Sequence, residues 1–127
     1  EKVTRIVLAS GKVCYDLLVA CEEKRLDDTV VLKLEQIYPF PKSLLRRELR
    51  KYPNAADFVW VQEEPQNMGA WFFVRERIAA ELKGPQMLRY VGRQESASTA
   101  TGALKVHQKE QAALIKAAIS PVGIKKG

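Results

Sequence analysis

The sequence predicts an α/β fold, with a mostly parallel central sheet flanked by helices on both faces. Two observations predict it. Short, β-branched apolar runs alternate four times with stretches whose apolar residues recur at helical spacing. The first of those runs is short, β-branched and largely apolar, as a buried strand would be, and alternating strands and helices imply a parallel sheet covered on each side.

Each element has its own signal. Residues 3–9 (VTRIVLA) read as a buried strand, and Ser10-Gly11-Lys12 as the tight turn after it. Cys14, Leu17, Leu18 and Cys21 fall at i, i+3, i+4 and i+7, one face of a helix running to about Arg25. Asp27 and Asp28 mark a turn before a second strand, residues 29–34 (TVVLKL). The stiff segment YPFP follows, and Pro41 suits a helix start. Leu45, Leu49 and Tyr52 line that second helix until Pro53 ends it. Residues 57–62 (DFVWVQ) form the third strand. Trp71, Val74, Ile78 and Leu82 line a third helix closed by Gly84-Pro85. Residues 87–91 (MLRYV) make the fourth strand. After a Ser/Thr/Ala loop, Val106, Ala113, Leu114 and Ala117 line a last helix. Residues 1–120 are expected to form one α/β domain, with 121–127 as a frayed tail.

Right-handed crossovers put the loops SGK, EQIYPFP, EEPQNMG and GRQESAST on one edge of the sheet. Ligands and partners usually meet such folds at that edge. The unusual residues therefore gather where function is most often found.

Size and charge bound the possibilities. The chain has 127 residues, 46% of them hydrophobic, enough for a sizeable core. No run of about 18 apolar residues suggests a membrane span, and no signal peptide is visible. A start at Glu1, without methionine and directly before a strand, suggests a piece of something longer. Cys14 and Cys21 are too far apart along one helix to bridge, and read as buried thiols of a reducing compartment. The net charge is +6, with basic residues gathered at Arg46, Arg47, Arg50 and Lys51 and at Lys125 and Lys126. A solvated helix face explains them, and a surface for phosphates or acidic partners is the sharper alternative. Nucleic acid is not expected, because no aromatics are interleaved and no recognition motif is present.

The candidate chemistry is sparse. Ser10, Gly11 and Lys12 precede a helix and could meet a phosphate, although a full phosphate-loop pattern is absent and an N-cap with a solvated lysine is the plainer reading. Glu35-Gln36 and Glu63-Glu64 end strands. An acid/base role would need a nucleophile, metal or cofactor beside them, so a loop-ordering or interface role is expected, with Arg93 a candidate ion partner. His107 is the one histidine and reads as a capping or packing residue. No metal site is expected. Trp71, Phe72 and Phe73 offer more aromatic surface than one helix face can bury, so the loop holding Glu63, Glu64 and Asn67 looks like a docking edge.

Five stretches carry a family resemblance: SGKVCYDL (10–17), LEQIYPFP (34–41), WVQEEPQNMGAW (60–71), YVGRQESASTATG (90–102) and VHQKEQ (106–111). In this order and spacing they closely resemble the C-terminal domain of the E1 component of 2-oxoglutarate dehydrogenase, over about residues 5–119. EEPQNMGAW and the SA-x-x-ATG loop are the specific parts. The resemblance implies a fold like the third domain of transketolases. It implies a parent enzyme that uses thiamine diphosphate and Mg²⁺, decarboxylates 2-oxoglutarate and succinylates a lipoyl group on the E2 succinyltransferase component. The cofactor motifs of that enzyme belong to earlier domains. This chain would then help to organise the homodimer and border the cleft, and be inactive alone. Its partners would be the rest of the E1 subunit, the dimer mate and E2. Its location would be the cytoplasm of a bacterium, or the mitochondrial matrix of a eukaryote. Some members bind acetyl-CoA as an activator in this region, which maps onto Ser10, Gly11 and Lys12. Thr99 departs from the pattern, standing where the family usually has proline. That loosens the loop by about 0.4–1 kcal/mol of chain entropy.

Overall fold

The computed structural model describes residues 2–35, 37, 39–84, 86–93 and 104–120. Among them the order is β1 (Arg5–Ala9), α1 (Val13–Glu23), β2 (Thr29–Lys33), α2 (Lys42–Leu49), β3 (Asp57–Pro65), α3 (Trp71–Ala79), β4 (Met87–Arg93) and α4 (Leu104–Ile119). The strands form one sheet in the order β2-β1-β3-β4, and all three pairings are parallel. Every expected strand and helix is present, and the expected α/β architecture is met.

Side-chain parity divides the core in two. Val7 and Ala9 of β1 and Val59 and Val61 of β3 face α1 and α4, meeting Leu17, Cys21, Leu114 and Ala118. Ile6, Leu8, Phe58 and Trp60 face the other way, meeting Leu45 of α2 and Val74 and Ile78 of α3. Both faces of the central strands are therefore apolar, which is why their sequence is an unbroken hydrophobic run. The chain leaves β1 through α1 to reach β2, then returns through α2 to β3 on the other side of β1. The strand order reverses between β1 and β3, and the crevice outside their carboxyl ends is where such folds place ligands.

The opposite rim is held by charge. Asp57, on β3, accepts from Arg5 Nε at 2.8 Å and from Arg89 Nε at 2.9 Å. Arg5, which is buried, also donates to Thr29 Oγ1 at 3.0 Å and to the carbonyl of Ile119 at 2.9 Å; Arg89 donates to the carbonyl of Ser120 at 2.9 Å. All four strands and the end of α4 meet in one network. The last carbonyls of a helix lack intrahelical partners, and these two arginines supply them. Burial works to raise the Asp57 carboxyl, but hydrogen bonds and charge from Arg89 and Arg5 overcome it and hold the group below its ordinary value.

Several boundaries and faces differ from expectation. Leu18 is not on the buried face of α1; it is half exposed, and Val13 takes the inward place beside Cys14, Leu17 and Cys21. Helix α1 stops at Glu23, because Arg25 adopts a left-handed φ of 54° and Leu26 N–H bonds back to the Cys21 carbonyl. That is the glycine-type helix ending made without glycine, so the sequence carried no signal for it. Among the described side chains of α4 the inward ones are Leu114, Ala118 and Ile119, while Ala113 and Ala117 are exposed and the Val106 side chain lies outside the described residues. Helix α2 ends at Leu49, and β3 runs on past Gln62 to Pro65 with a register irregularity against β4. The expected Ser/Thr/Ala loop (94–103), including Thr99, and the tail 121–127 lie outside the described residues.

Candidate functional site: the carboxyl rim of the sheet

The rim beyond β1 and β3 is organised by a residue that carries no charge. Gln62 follows the parity of Phe58 and Trp60, so its side chain enters the α2/α3 face and is buried. Its amide oxygen accepts from Trp60 Nε1 at 2.9 Å and from the backbone N–H of Trp71 at 3.1 Å. Its amide nitrogen donates to the carbonyls of Met68, at 2.8 Å, and Glu64, at 3.2 Å. One side chain thus ties the strand end, the loop and the first residue of α3 together. A buried amide would be costly without such partners.

Two neighbours complete this corner. Gly69 has φ of 69°, which favours glycine, and an added Cβ would lie 3.0 Å from Glu64 Oε1 and 3.1 Å from Gln62 Nε2. The loop can close over the amide only because nothing projects there. The Tyr90 ring stands 5.2 Å from the Trp71 ring, and its hydroxyl reaches the Glu64 carbonyl at 3.4 Å. Burial raises the Tyr90 phenol, with the Gln62 hydrogen bond opposing and the Glu64 charge adding to the rise. Trp71 itself is buried, yet its indole Nε1–H has no hydrogen-bond partner among the described residues. Such an orphaned donor costs on the order of 1–3 kcal/mol. Beside it, Met68 and Phe72 are half exposed and Glu64 is exposed.

Glu63 and Glu64 are adjacent in sequence but diverge in space, because neighbouring strand residues point to opposite faces. Glu64 lies against Gly69 and the Gln62 amide on the α3 side. Glu63 points towards α4, where Gln111 Nε2 donates to Glu63 Oε2 at 3.3 Å and to Asp16 Oδ2 at 3.2 Å. Gln111 therefore fastens the first turn of α1 to the end of β3. The two glutamates point to opposite faces of the sheet and do not meet as a pair.

The other candidates are placed as follows. Gly11 has φ of 83° with nothing within 4 Å of where a Cβ would sit, and Gly11 and Lys12 are exposed at the start of α1. Ser10 is half buried, and α1 has no side-chain cap. The N-cap expected of this turn is absent. Asn67 is exposed in the loop. Glu35 makes an exposed contact with Lys33 at 3.9 Å, and Gln36 lies outside the described residues. The side chains of Arg93 and His107 also lie outside the described residues, so their expected pairing and packing are untouched. In the basic cluster, Arg46 grips Glu81 through two hydrogen bonds, 2.8 and 3.1 Å, and Lys51 pairs with Glu48. That is how an ordinary solvated helix face behaves. Burial pushes the Cys14 thiol up to about 11, against the pull of Lys33 and with a smaller push from Glu35. No group of three His, Cys, Asp or Glu residues suited to a metal occurs among the described residues.

Gln62, Asp16, Gln111 and Tyr90 were not singled out from sequence. For Gln62 a signal existed: it occupies an inward position of the alternation Phe58, Trp60, Gln62, where a polar side chain must find buried partners. Asp16 and Gln111 offered none, since only the packing of α4 on α1 brings them together.

A family model described as 2-oxoglutarate dehydrogenase C-terminal matches residues 1–119. This chain belongs to that family. The chain is 49% identical to a 2-oxoglutarate dehydrogenase E1 component from Cupriavidus necator, over 94% of its own length and 13% of the relative's. It is 44% identical to proteins of the same name from Rickettsia typhi and Coxiella burnetii, again over 94% of its length and 13% of theirs. The chain thus spans about an eighth of the length of the curated relatives it matches. Within the 2-oxoglutarate dehydrogenase C-terminal family, the parallel sheet with helices on both faces is the transketolase C-terminal-like architecture that the resemblance implied. No helix among the described residues is long and apolar enough to cross a membrane.

Proposed function

We propose that this chain is the C-terminal domain of a thiamine diphosphate-dependent 2-oxoglutarate dehydrogenase E1 component, and that it organises the assembled enzyme rather than catalysing on its own. Residues 1–120 form the domain and 121–127 its tail. The parent decarboxylates 2-oxoglutarate and passes a succinyl group to a lipoyl-bearing E2 partner, in the bacterial cytoplasm or, in a eukaryote, the mitochondrial matrix. Supporting this are the relatives' shared name and the small share of their length that the chain matches.

The observation that carries the organising role is the Gln62 corner. A loop held rigid from beneath presents Glu64, Asn67, Met68 and Phe72, while the Trp71 indole N–H has no acceptor among the described residues. A neighbouring domain or the dimer mate that covers this corner would supply the acceptor and bury the two apolar side chains. On the other face Glu63 anchors Gln111 of α4, which also holds Asp16 of α1, and Arg93 and His107 are assigned to the same rim.

The described residues offer no group of three His, Cys, Asp or Glu donors for Mg²⁺. Asp16 and Glu63 on the rim both accept from the Gln111 amide, and no third oxygen-rich partner joins them among the described residues. Both cofactors are assigned to the remainder of the parent enzyme, and no catalytic step is ascribed to residues here.

The test has two arms. The 127-residue chain, supplied with thiamine diphosphate and Mg²⁺, should not decarboxylate 2-oxoglutarate; turnover overturns the assignment of catalysis elsewhere. In the full-length enzyme, Phe72→Glu should weaken subunit assembly while leaving thiamine diphosphate affinity intact. Loss of cofactor binding from an intact dimer overturns the docking role.

A second role is favoured by one feature, the exposed Gly11-Lys12 pair before an α1 N-terminus without a side-chain cap. Free N–H groups and an ammonium suit the phosphates of acetyl-CoA or another acyl-CoA. Calorimetry on the full-length enzyme, wild type against Lys12→Ala, tests it, and equal heats from the two proteins reject it.

A further inference from the structure

Helix α1 carries an apolar face that none of the described residues covers. Tyr15, Leu18 and Val19 are 71%, 51% and 41% exposed. They fall at i, i+3 and i+4, turned away from the stripe of Val13, Cys14, Leu17 and Cys21 that packs on the sheet. The outward faces of the other helices differ. On α2 the exposed Leu44 lies among Lys42, Arg46 and Arg47. On α3 the Arg75 guanidinium lies over the Phe72 ring at 5.1 Å. On α4 the exposed described side chains are Lys109, Glu110, Lys116 and alanines. Among the described residues, only α1 offers three large apolar side chains in contiguous helical positions with no charged group laid across them. Half-buried Ala20, Leu26 and Val31, packed on the same core, continue that surface towards β2, which stands at an edge of the sheet beside β1.

We propose that the Tyr15-Leu18-Val19 face of α1 is the seat on which this domain docks against the preceding part of its own E1 polypeptide. The inference rests on the chain being one domain of that enzyme. Two arguments select this occupant over a second copy. The first is area. An 11-residue helix is about 16 Å long and about 10 Å across, a footprint on the order of 160 Å². A freely associating partner needs about 800 Å² on each side. The second is tethering. The relatives carry several times this chain's length in the same polypeptide, the chain matching only 13% of it. A covalently attached partner is present at an effective concentration of about millimolar, so a small apolar seat holds it where it could not hold a free one.

The seat is separate from the Gln62 corner. The corner lies at the carboxyl end of β3 on the α3 side of the sheet, whereas α1 packs on the opposite face. The domain would therefore be held at two places, and the α1 seat fixes its angle on the rest of the subunit.

The test uses the full-length enzyme carrying Leu18→Cys, with maleimide labelling followed by peptide mass spectrometry. Cys14 and Cys21 are buried with raised thiol pKa values, so they contribute little signal in this region. The introduced thiol should label about a hundredfold more slowly in the native enzyme than in urea, the protection expected of a stably covered site. Leu18→Glu should open the junction before β1 to protease while the sedimenting mass of the enzyme is unchanged. Labelling of the Leu18→Cys enzyme at the unfolded rate shows a bare face and overturns the proposal. A halved sedimenting mass for Leu18→Glu makes the occupant a second copy, and protection that arises only when E2 is added makes it E2; either overturns the proposal. Thiamine-dependent decarboxylation by the same wild-type preparation reports separately on the E1 reading, since an enzyme without it can still protect the thiol that Leu18→Cys introduces.

Discussion

Replacing Gln62 by leucine tests whether one neutral side chain organises the rim. Leucine nearly matches the volume but makes no hydrogen bonds, so the change removes the amide without leaving a large cavity. The Trp60 indole N–H, the Trp71 backbone N–H and the carbonyls of Glu64 and Met68 each lose a hydrogen bond, as does the Tyr90 hydroxyl. The two carbonyls lie in a loop whose side chains are exposed, and water can replace the amide there at little cost. The two tryptophan donors lie in the core, with Trp60 only 1% exposed. Leaving both unsatisfied costs on the order of 2–4 kcal/mol, after allowing for the gain of an apolar side chain. With a urea m-value of about 1.5–2 kcal/mol/M for a chain of this size, the midpoint should fall by about 1–2 M. Urea unfolding followed by tryptophan fluorescence measures it. The loop should also open first, so amide exchange at Trp71 and Met68 should quicken well before that of β1. A midpoint within about 0.3 M of wild type, with unchanged exchange at Trp71, would refute the assignment of Gln62 as the hub.

Asp57→Asn leaves Arg5 buried beside a neutral partner and should cost about 2–4 kcal/mol at pH 7, read by the same urea titration. Because the Asp57 carboxyl is held below its unfolded value, its stabilisation is complete above about pH 5 and is lost as pH falls through the lowered value. The difference between wild type and Asp57→Asn should accordingly be flat near neutrality and shrink below about pH 4. Gly92→Ala should cost about 1–3 kcal/mol, because its Cβ would meet the Tyr90 hydroxyl and lie 2.9 Å from the Gln62 carbonyl; a neutral thermal shift counts against that packing. In the folded chain a disulfide reagent at pH 8 should leave Cys14, whose thiol is pushed up to about 11, unmodified over a period in which the urea-unfolded thiols react fully.

The carboxylate pair shows why a motif in a row need not be a site. Glu63 and Glu64 stand out in the sequence because they end an apolar run. Period-2 geometry then sends one to Gln111 and α4 and the other to Gly69 and α3. The turn at Arg25 was invisible because a charged residue does what glycine usually does. Leu17 and Leu18 of α1 are equally apolar in sequence, and only packing on the sheet buries the first and exposes the second.

What the sequence determined by itself was the α/β class, the order of its strands and helices, and membership in the 2-oxoglutarate dehydrogenase C-terminal family. These depend on local periodicity and contiguous motifs, which a chain carries without being folded. The tertiary structure alone decided three things: the Arg5–Asp57–Arg89 network and, among the described residues, the Gln62 corner with its unpartnered indole and the uncovered outer face of α1. The partners in the first are 52 and 32 residues apart. In all three, the deciding quantity is whether a polar or apolar group finds a neighbour, and crossovers that reverse between β1 and β3 choose those neighbours.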